Sequence, residues 1–175
     1  MSNQSLTCML ETCWEQISLG TSDRHHAARN PVLATTTPDG PAIRTLVLRG
    51  VSRDDSTIEF HSDALSPKIK HIKANPSVAL HFWIPKVNLQ IRIRAMAQLL
   101  PGDPELFAQL PAAAQANYKG PVPGAELPAE HSPASNRFTR IQCHLMEIDA
   151  LLLTGSHKRA FFEVASDWQG KWIAP

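Results

Sequence analysis

Residues 87–99 read VNLQIRIRAMAQL, and their alternation decides the fold class. Apolar and polar side chains repeat with a period of two, which is the pattern of a β-strand with one buried face. The apolar positions are Leu89, Ile91, Ile93, Ala95 and Ala97, and the other face carries Gln90, Arg92, Arg94, Met96 and Gln98. The stretch therefore predicts a half-buried strand and not a helix.

Segments of the same kind lie on both sides of this strand. Pro38-Asp39-Gly40 is a turn sequence between two β-prone stretches, which indicates a hairpin. The predicted strands are 32–37, 42–53, 57–62, 78–84, 87–99, 138–153, 157–164 and a last one that ends at Pro175. Many consecutive antiparallel strands with short turns favour a small barrel, since closure removes exposed strand edges. We therefore predict a mainly β fold, an antiparallel barrel with peripheral helices.

Two further stretches depart from the β pattern. Apolar residues from Leu6 to Ile17 recur at helical spacing, and Gly20 is expected to end this N-terminal helix. Seven of the fourteen prolines fall in 101–133. That segment is predicted to be an irregular excursion over the barrel with short helices, the first of them capped by Asp103.

The composition limits the possible functions. At 175 residues the chain fits one compact domain, 1–175. A net charge of +1 disfavours a dedicated nucleic-acid-binding protein, because such proteins usually carry a strong basic excess. Cys8, Cys13 and Cys143 form no Cys-x-x-Cys pair and have no histidine cluster at zinc-ligand spacing. We therefore expect reduced thiols and no metal site.

The sequence also predicts where the protein works. Its N-terminal residues lack the basic region and apolar run of a signal peptide. No segment reaches the roughly 18 apolar residues that a membrane span needs. We therefore expect a cytoplasmic protein that does not act on a membrane.

A local basic excess lies in residues 41–100. This segment contains nine lysines and arginines against four aspartates and glutamates. The excess suggests a small anionic ligand. Neither a Gly-x-Gly-x-x-Gly motif nor a Walker loop occurs in the sequence, so a phosphate would have to be held in another way.

A short helix is predicted from Ser66-Pro67 to Asn75, and its first turn is unusual. A helix N-terminus carries partial positive charge and free N–H groups, which favour Asp or Glu nearby. Lys68 stands there instead, which is unfavourable unless an anion lies between the lysine and the amides. A bound phosphate would account for it. The alternative is a solvated basic face shared with Lys70 and Lys73.

Arginines interrupt the predicted strand 42–53. At ~3.3 Å per residue Arg44 and Arg49 stand about 16 Å apart, a separation comparable to flavin mononucleotide (FMN) from its phosphate to its far ring edge. They lie on opposite faces, so a bulge or a partner subunit must intervene if both contact one ligand. The Gln90 amide could meet the donor and acceptor edge of a pyrimidine-like ring. Solvent-exposed arginines and a solvent-facing glutamine are the alternative.

Together these segments resemble the pyridoxamine 5′-phosphate oxidase family. The motifs that carry the resemblance are RTLVLR at 44–49, FHSD at 60–63, SPK at 66–68, NP at 75–76, HFW at 81–83 and LQIR at 89–92. Trp168, seven residues before Pro175, resembles the family's last strand. The resemblance implies a split β-barrel and a homodimer with two FMN sites at the subunit interface, each built from both chains.

The resemblance also implies which residues bind FMN. They are Arg44, Thr45, Val47, Leu48, Arg49, His61, Ser62, Pro67, Lys68 and Gln90. Arg44 and Lys68 would bind the phosphate, helped by the helix N-terminus at Pro67 and by His61 and Ser62. In such a protein the flavin carries the chemistry, so no side chain has to be the catalyst.

The ring end of FMN is assigned in the same way. Backbone groups of Val47 and Leu48 would face the isoalloxazine ring, with Arg49 and Gln90 near its polar edge. Arg49 stands where the family usually has lysine, which keeps the charge but changes its geometry.

The C-terminal part departs from the family pattern. Where the family has an Arg-x-His substrate clamp, this chain reads His157-Lys158-Arg159, with the two residue types exchanged. His157, Arg159 and Arg49 are therefore the residues predicted to bind substrate. We expect an FMN-dependent oxidoreductase that acts on an unidentified small anionic substrate. The alternative is a non-catalytic FMN carrier or sensor.

Overall fold

A computed structural model describes residues 5–127 and 137–175. The helices in these residues are α1 (Leu6–Ser22), α2 (Pro67–Ala74), α3 (Pro104–Gln109) and α4 (Ala112–Ala116). The strands are β1 (Val32–Thr37), β2 (Gly40–Thr45), β3 (Leu48–Ser52), β4 (Thr57–Asp63), β5 (Ser77–Ile84), β6 (Leu89–Pro101), β7 (Phe138–Leu152), β8 (Lys158–Glu163) and β9 (Gly170–Ile173). Short 3-10 turns lie at Ala27–Arg29, Pro85–Val87 and Val164–Ser166.

In the described part of the chain the nine strands form one antiparallel sheet. Its order is β2-β1-β5-β6-β7-β4-β3, with β8 and β9 added beside β7. β2 and β3 stand at opposite ends of this order, yet only Leu46 and Val47 connect them. A sheet whose two ends are joined by two residues must curl round on itself, so it forms a barrel. The predicted mainly β barrel is confirmed.

The long strand β7 splits this barrel. It pairs with β6 along most of its length. On its other side it pairs first with β4, from Phe138 to His144, and then with β8, from Glu147 to Leu152. β4 and β8 therefore share one edge of β7, each paired with a different part of it.

The core follows from the alternation in β6. All five of its predicted inward side chains are buried: Leu89, Ile91, Ile93, Ala95 and Ala97. α1 adds the fully buried side chains of Met9, Cys13 and Ile17 to the same cluster. Burial of this apolar surface is the main stabilising contribution to the fold.

Two sequence-based boundaries were wrong. The predicted strand 42–53 is two strands, because the chain passes from one end of the sheet to the other at Leu46 and Val47. Gly20 does not end α1, which continues to Ser22. Gly20 is needed for packing instead, since a Cβ there would lie 2.7 Å from the carbonyl carbon of Ala28.

The excursion after β6 agrees with its prediction as far as Leu127. α3 begins after Asp103, whose carboxylate accepts hydrogen bonds from the N–H groups of Glu105 and Leu106. Residues 128–133 of the predicted excursion lie outside the described residues.

Candidate cofactor-binding site

The start of α2 brings a lysine and two serines together. Nζ of Lys68 lies 3.2 Å from Oγ of Ser62, near the end of β4, and 3.0 Å from Oγ of Ser66. The two hydroxyl oxygens are 3.2 Å apart, and both serines are buried. Ser66 takes the predicted N-cap position, but its side chain bonds no helix N–H group. Its hydroxyl faces Lys68 instead.

Arg44 reaches the same region from β2. Arg44 is the cross-strand partner of the fully buried Leu33, so the two side chains lie on the same, inner face of the sheet. Its guanidinium donates to the carbonyl of Leu33 at 3.1 Å and to Oγ1 of Thr35 at 2.8 Å. Oγ1 of Thr35 lies 3.1 Å from Nδ1 of His71, one turn after Lys68 in α2. Hydrogen bonds through β1 therefore tie Arg44 to α2.

Arg44 and Lys68 are partly buried positive charges, and such charges favour the binding of an anion. Burial lowers the pKa of Arg44, and burial followed by the positive charge of Arg44 lowers the pKa of Lys68, against the opposing charge of Asp63. Within residues 5–127 and 137–175 neither cation forms an ion pair. The carboxylate of Asp63 is held by Arg137 at 2.7 Å. Two neighbouring cations with buried hydroxyls suit a phosphate group, which accepts charge-assisted hydrogen bonds.

Arg49 occupies a bulge on the next strand. The β3–β4 register shifts between Leu48 and Gly50, so a bulge lies at Arg49. Leu48 is fully buried, whereas Arg49 is exposed. Burial lowers the pKa of Arg49, and the charge of Arg29 adds to this, while Tyr118 opposes it.

His61 lies on the side of β4 away from Ser62. Its Nε2 is 3.5 Å from a carboxylate oxygen of Glu59, whose other oxygen is 3.3 Å from Arg140. Its ring packs edge-on against Phe138, with centroids 4.9 Å apart. Burial, then the charges of Arg49 and Arg140, lower the pKa of His61 to about 4. The imidazole is therefore neutral near pH 7, and its predicted contact with the phosphate stays a prediction.

The remaining predicted cofactor contacts lie near the β2–β3 crossing. Thr45 is exposed at the end of β2, and Val47 is exposed between the two strands. Pro67 is the first residue of α2. The Leu48 side chain is in the core, so only its backbone is open to a ligand.

Gln90 and Arg159 share the outer face of β6, β7 and β8. Gln90 pairs with Leu151, and Leu151 pairs with Arg159. The Arg159 guanidinium donates two hydrogen bonds to Asp149, at 2.9 and 2.8 Å, and Asp149 raises its pKa.

The predicted substrate clamp is thus partly occupied. Arg92 also donates to the carboxylate of Asp149, at 2.6 Å. His157 is exposed just before β8. Arg159 is therefore paired with a carboxylate of its own chain, and its predicted contact with substrate stays a prediction.

The structure divides the predicted residues into three groups. Ser62 and Lys68 meet at the start of α2, to which Arg44 is linked through Thr35 and His71. Arg49 and His61 lie by the β3–β4 bulge, and Gln90 and Arg159 lie on the outer face. Sequence reasoning missed Thr35, although a threonine two residues after inward Leu33 in β1 is a polar side chain at a buried position. It also missed the link through His71.

Two general features of the described residues bear on the kind of site. They contain no group of three or more His, Cys, Asp or Glu side chains that could hold a metal ion. No helix among them is long and apolar enough to cross a membrane.

Comparisons with known proteins identify the family of this chain. The sequence model of the pyridoxamine 5′-phosphate oxidase, FMN-binding domain, matches residues 10–101. The pyridoxine/pyridoxamine 5′-phosphate oxidase of Rhodopseudomonas palustris is 30% identical over 146 residues, 82% of this chain and 62% of that protein. The enzyme of the same name from Rubrobacter xylanophilus is 40% identical over 67 residues, 38% of this chain and 30% of that protein. The matched part therefore spans less than two thirds of these relatives.

A solved structure supports the fold. The pyridoxamine 5′-phosphate oxidase-related, FMN binding protein from Nostoc punctiforme superposes with a TM-score of 0.77 at 24% identity. The superposition covers 94% of this chain and 96% of that protein. With the family match over residues 10–101, the chain belongs to the pyridoxamine 5′-phosphate oxidase family and carries its FMN-binding domain.

Proposed function

We propose that this protein binds FMN and is a flavin-dependent oxidoreductase that acts on a small anionic substrate. The observation that carries the proposal is the pair of partly buried cations, Arg44 and Lys68, that have no carboxylate partner in the described chain. When bound, FMN supplies the redox chemistry, so the residues of this chain bind and orient. A cytoplasmic location remains a prediction from the sequence.

The residues at α2 fit the phosphate of FMN. The guanidinium of Arg44 and the ammonium of Lys68 would neutralise it, and the hydroxyls of Ser62 and Ser66 lie close enough to donate to it. The N–H groups at the start of α2 provide further donors of the right sign. Arg49 and Gln90 would then lie toward the ring end, as the resemblance implies.

The visible absorption spectrum of the purified protein, with FMN added if it is colourless, tests the cofactor. We expect a protein-bound flavin spectrum in the parent and weaker binding in Arg44→Ala and Lys68→Ala. Lys70→Ala is the matched control, because Lys70 is exposed on the same helix. No flavin uptake by the parent, or equal loss in all three variants, would contradict the proposal.

A homodimer is supported by the outer face of the sheet. Ile43 is 71% exposed and Trp83 41% exposed on this face. The charged side chains beside them are already paired, Arg92 with Asp149 and Arg94 with Glu147. Exposed apolar side chains next to neutralised charges favour association with a second copy.

Light scattering after gel filtration tests the dimer. We expect a dimer in the parent and a monomer in Ile43→Glu, because a two-fold interface would bring both new carboxylates into it. Val164→Glu, at an exposed position in the turn after β8, is the control. If FMN lies at the interface, Ile43→Glu also loses FMN. A monomeric parent would contradict the dimer but not the FMN proposal.

One observation favours the alternative of an FMN carrier. Arg159 is bound to Asp149, so the predicted clamp offers no free guanidinium. Anaerobic reduction of the bound flavin by a panel of amines, aldehydes and nicotinamide nucleotides separates the two functions. Reduction by one class, followed by re-oxidation in air, supports the oxidoreductase. Stable FMN binding with no reduction by any of them supports the carrier.

A further inference from the structure

The amine of Lys68 has surroundings that differ from those of the other lysines of α2. Its Nζ lies 3.0 Å from Oγ of Ser66 and 3.2 Å from Oγ of Ser62, and both serines are buried. Within residues 5–127 and 137–175 no carboxylate forms an ion pair with it. Lys70 and Lys73 are exposed to solvent, whereas Lys68 is only partly exposed. The hydrogen-bond partners of Lys68 in the described chain are therefore neutral hydroxyls.

This environment favours the uncharged form of the amine. Burial lowers the pKa of Lys68, and the positive charge of Arg44 lowers it further, against the opposing charge of Asp63. The carboxylate of Asp63 is itself held by Arg137. A lysine that is desolvated and stands near a second cation is activated to attack a carbonyl carbon. An ordinary exposed lysine is almost fully protonated near pH 7 and has no free electron pair there.

The neighbouring groups fit a carbonyl compound that also carries a phosphate. Arg44 is linked to α2 through Thr35 and His71, and its guanidinium suits a phosphate group. The hydroxyl of Ser66 bonds no N–H group of the helix, so it is free to donate to an oxygen held beside Nζ. The site therefore combines an amine, an anion-binding cation and a proton donor.

We propose that Lys68 is a nucleophilic lysine that forms an imine with small phosphorylated aldehydes when FMN is absent, and that this modification blocks FMN uptake. The electron pair of Nζ forms a bond to the aldehyde carbon. The two protons of the amine pass to the carbonyl oxygen, which leaves as water as the carbon–nitrogen double bond forms, so the step needs no oxidant or reductant. Arg44 binds the phosphate of the aldehyde. The inference rests on the proposed function, since FMN and the aldehyde compete for the same residues.

Reductive trapping tests the proposal on the full-length chain without added FMN. Cyanoborohydride reduces the imine to a stable secondary amine, and peptide mass spectrometry then gives the modified fraction of each lysine. With glycolaldehyde phosphate near pH 7 we expect Lys68 to react about tenfold faster than Lys70, the gain in free amine for each unit by which a pKa is lowered. Lys70 is exposed on the same helix and serves as the internal control. Equal labelling of these two lysines would overturn the proposal.

A second aldehyde separates the nucleophile from the anion-binding group. Glycolaldehyde lacks the phosphate, so it should label Lys68 more slowly than glycolaldehyde phosphate does. This difference should shrink in Arg44→Met, because the guanidinium is gone, and it should persist in the matched control Lys70→Ala. Equal rates for the two aldehydes in the parent would show that no phosphate is bound during the reaction, and the proposed aldehyde class would be wrong.

FMN uptake is measured in the same samples. FMN added before the aldehyde should protect Lys68, and the trapped protein should bind less FMN than protein treated with cyanoborohydride alone. In Lys68→Arg, which keeps the charge but has no nucleophilic amine, aldehyde treatment should leave FMN binding unchanged. If Lys68 is labelled preferentially but FMN gives no protection, the proposed phosphate site is wrong and the block of FMN uptake falls with it. FMN binding together with equal labelling of the lysines removes only the nucleophilic role of Lys68.

Discussion

Basic side chains in two regions of this protein face different surroundings. At α2 and the neighbouring strand β2, Lys68 and Arg44 contact hydroxyl groups, and the charge of Arg44 lowers the pKa of Lys68 after the effect of burial. On the outer face of the sheet, Arg159 is held by two hydrogen bonds to Asp149. A partly buried cation without a counter-charge destabilises the free protein and favours a bound anion, whereas a paired cation is already satisfied. The pairing state, and not the residue type, distinguishes these cations, and it makes Arg44 and Lys68 the candidates for anion binding.

The largest effect is expected where a paired cation is fully buried. Asp63 and Arg137 form an ion pair at 2.7 Å, with side chains 7% and 2% exposed. Asp63→Asn keeps an oxygen that can accept from the N–H of Leu65 but leaves Arg137 without its counter-charge. We expect the free energy of unfolding to fall by about 3–5 kcal/mol in chemical denaturation. The exposed Asp54→Asn is the control, and an equally stable Asp63→Asn would show that the pair is not structural.

Replacing Arg44, which forms no ion pair in the described residues, should have the opposite effect on stability. In Arg44→Met a partly buried charge is replaced by an apolar side chain, so the FMN-free protein should be at least as stable as the parent. FMN affinity should fall about 10- to 100-fold, the value of hydrogen bonds to a charged group. Denaturation without FMN and a fluorescence titration with FMN measure the two quantities. A less stable protein with unchanged FMN affinity would make Arg44 structural.

The partly exposed pair of Arg159 and Asp149 should show a smaller effect. Asp149→Asn removes the counter-charge of Arg159, whose side chain is 27% exposed, so stability should fall by much less than in Asp63→Asn. The freed guanidinium should then bind anions, and added sulfate should raise the melting temperature of this variant more than that of the parent. Glu163→Gln, at an exposed position in β8, is the control. Identical sulfate responses would mean that Asp149 does not restrain Arg159.

The barrel could be predicted because one face of each strand is buried. In β6 the apolar residues therefore recur at every second position from Leu89 to Ala97. The break between β2 and β3 was not predictable in the same way, because Leu46, Val47 and Leu48 are all apolar and continue the pattern through it. The sheet order, and not local hydropathy, places this break.

The candidate site could be inferred from the sequence where a residue conflicts with its local surroundings. Lys68 in the first turn of a helix is such a conflict, and the structure gives it no carboxylate partner in the described chain. The state of Arg159 was not predictable, because its partner Asp149 lies on a neighbouring strand ten residues away. Which arginine meets which carboxylate depends on strand register, and composition does not encode register.

The smallest effect on stability is expected from His61. This residue is neither a paired nor an unpaired cation, because its buried imidazole is neutral near pH 7. Its pKa is about 4 in the folded protein and about 6.5 when unfolded, so the unfolded chain takes up a proton first as the pH falls. Stability from this residue is therefore complete above about pH 6.5 and is lost progressively toward about pH 4.

The variant His61→Phe isolates this contribution, because it keeps an aromatic ring beside Phe138 but has no titrating nitrogen. Unfolding free energies at a series of pH values between about 7 and about 5 should fall less steeply in the variant than in the parent. The exposed His157→Phe should follow the parent. If the pH dependence of the unfolding free energy is the same in His61→Phe as in the parent, His61 has the same pKa in the folded and unfolded states. The inference that its imidazole is neutral in the folded protein would then be wrong.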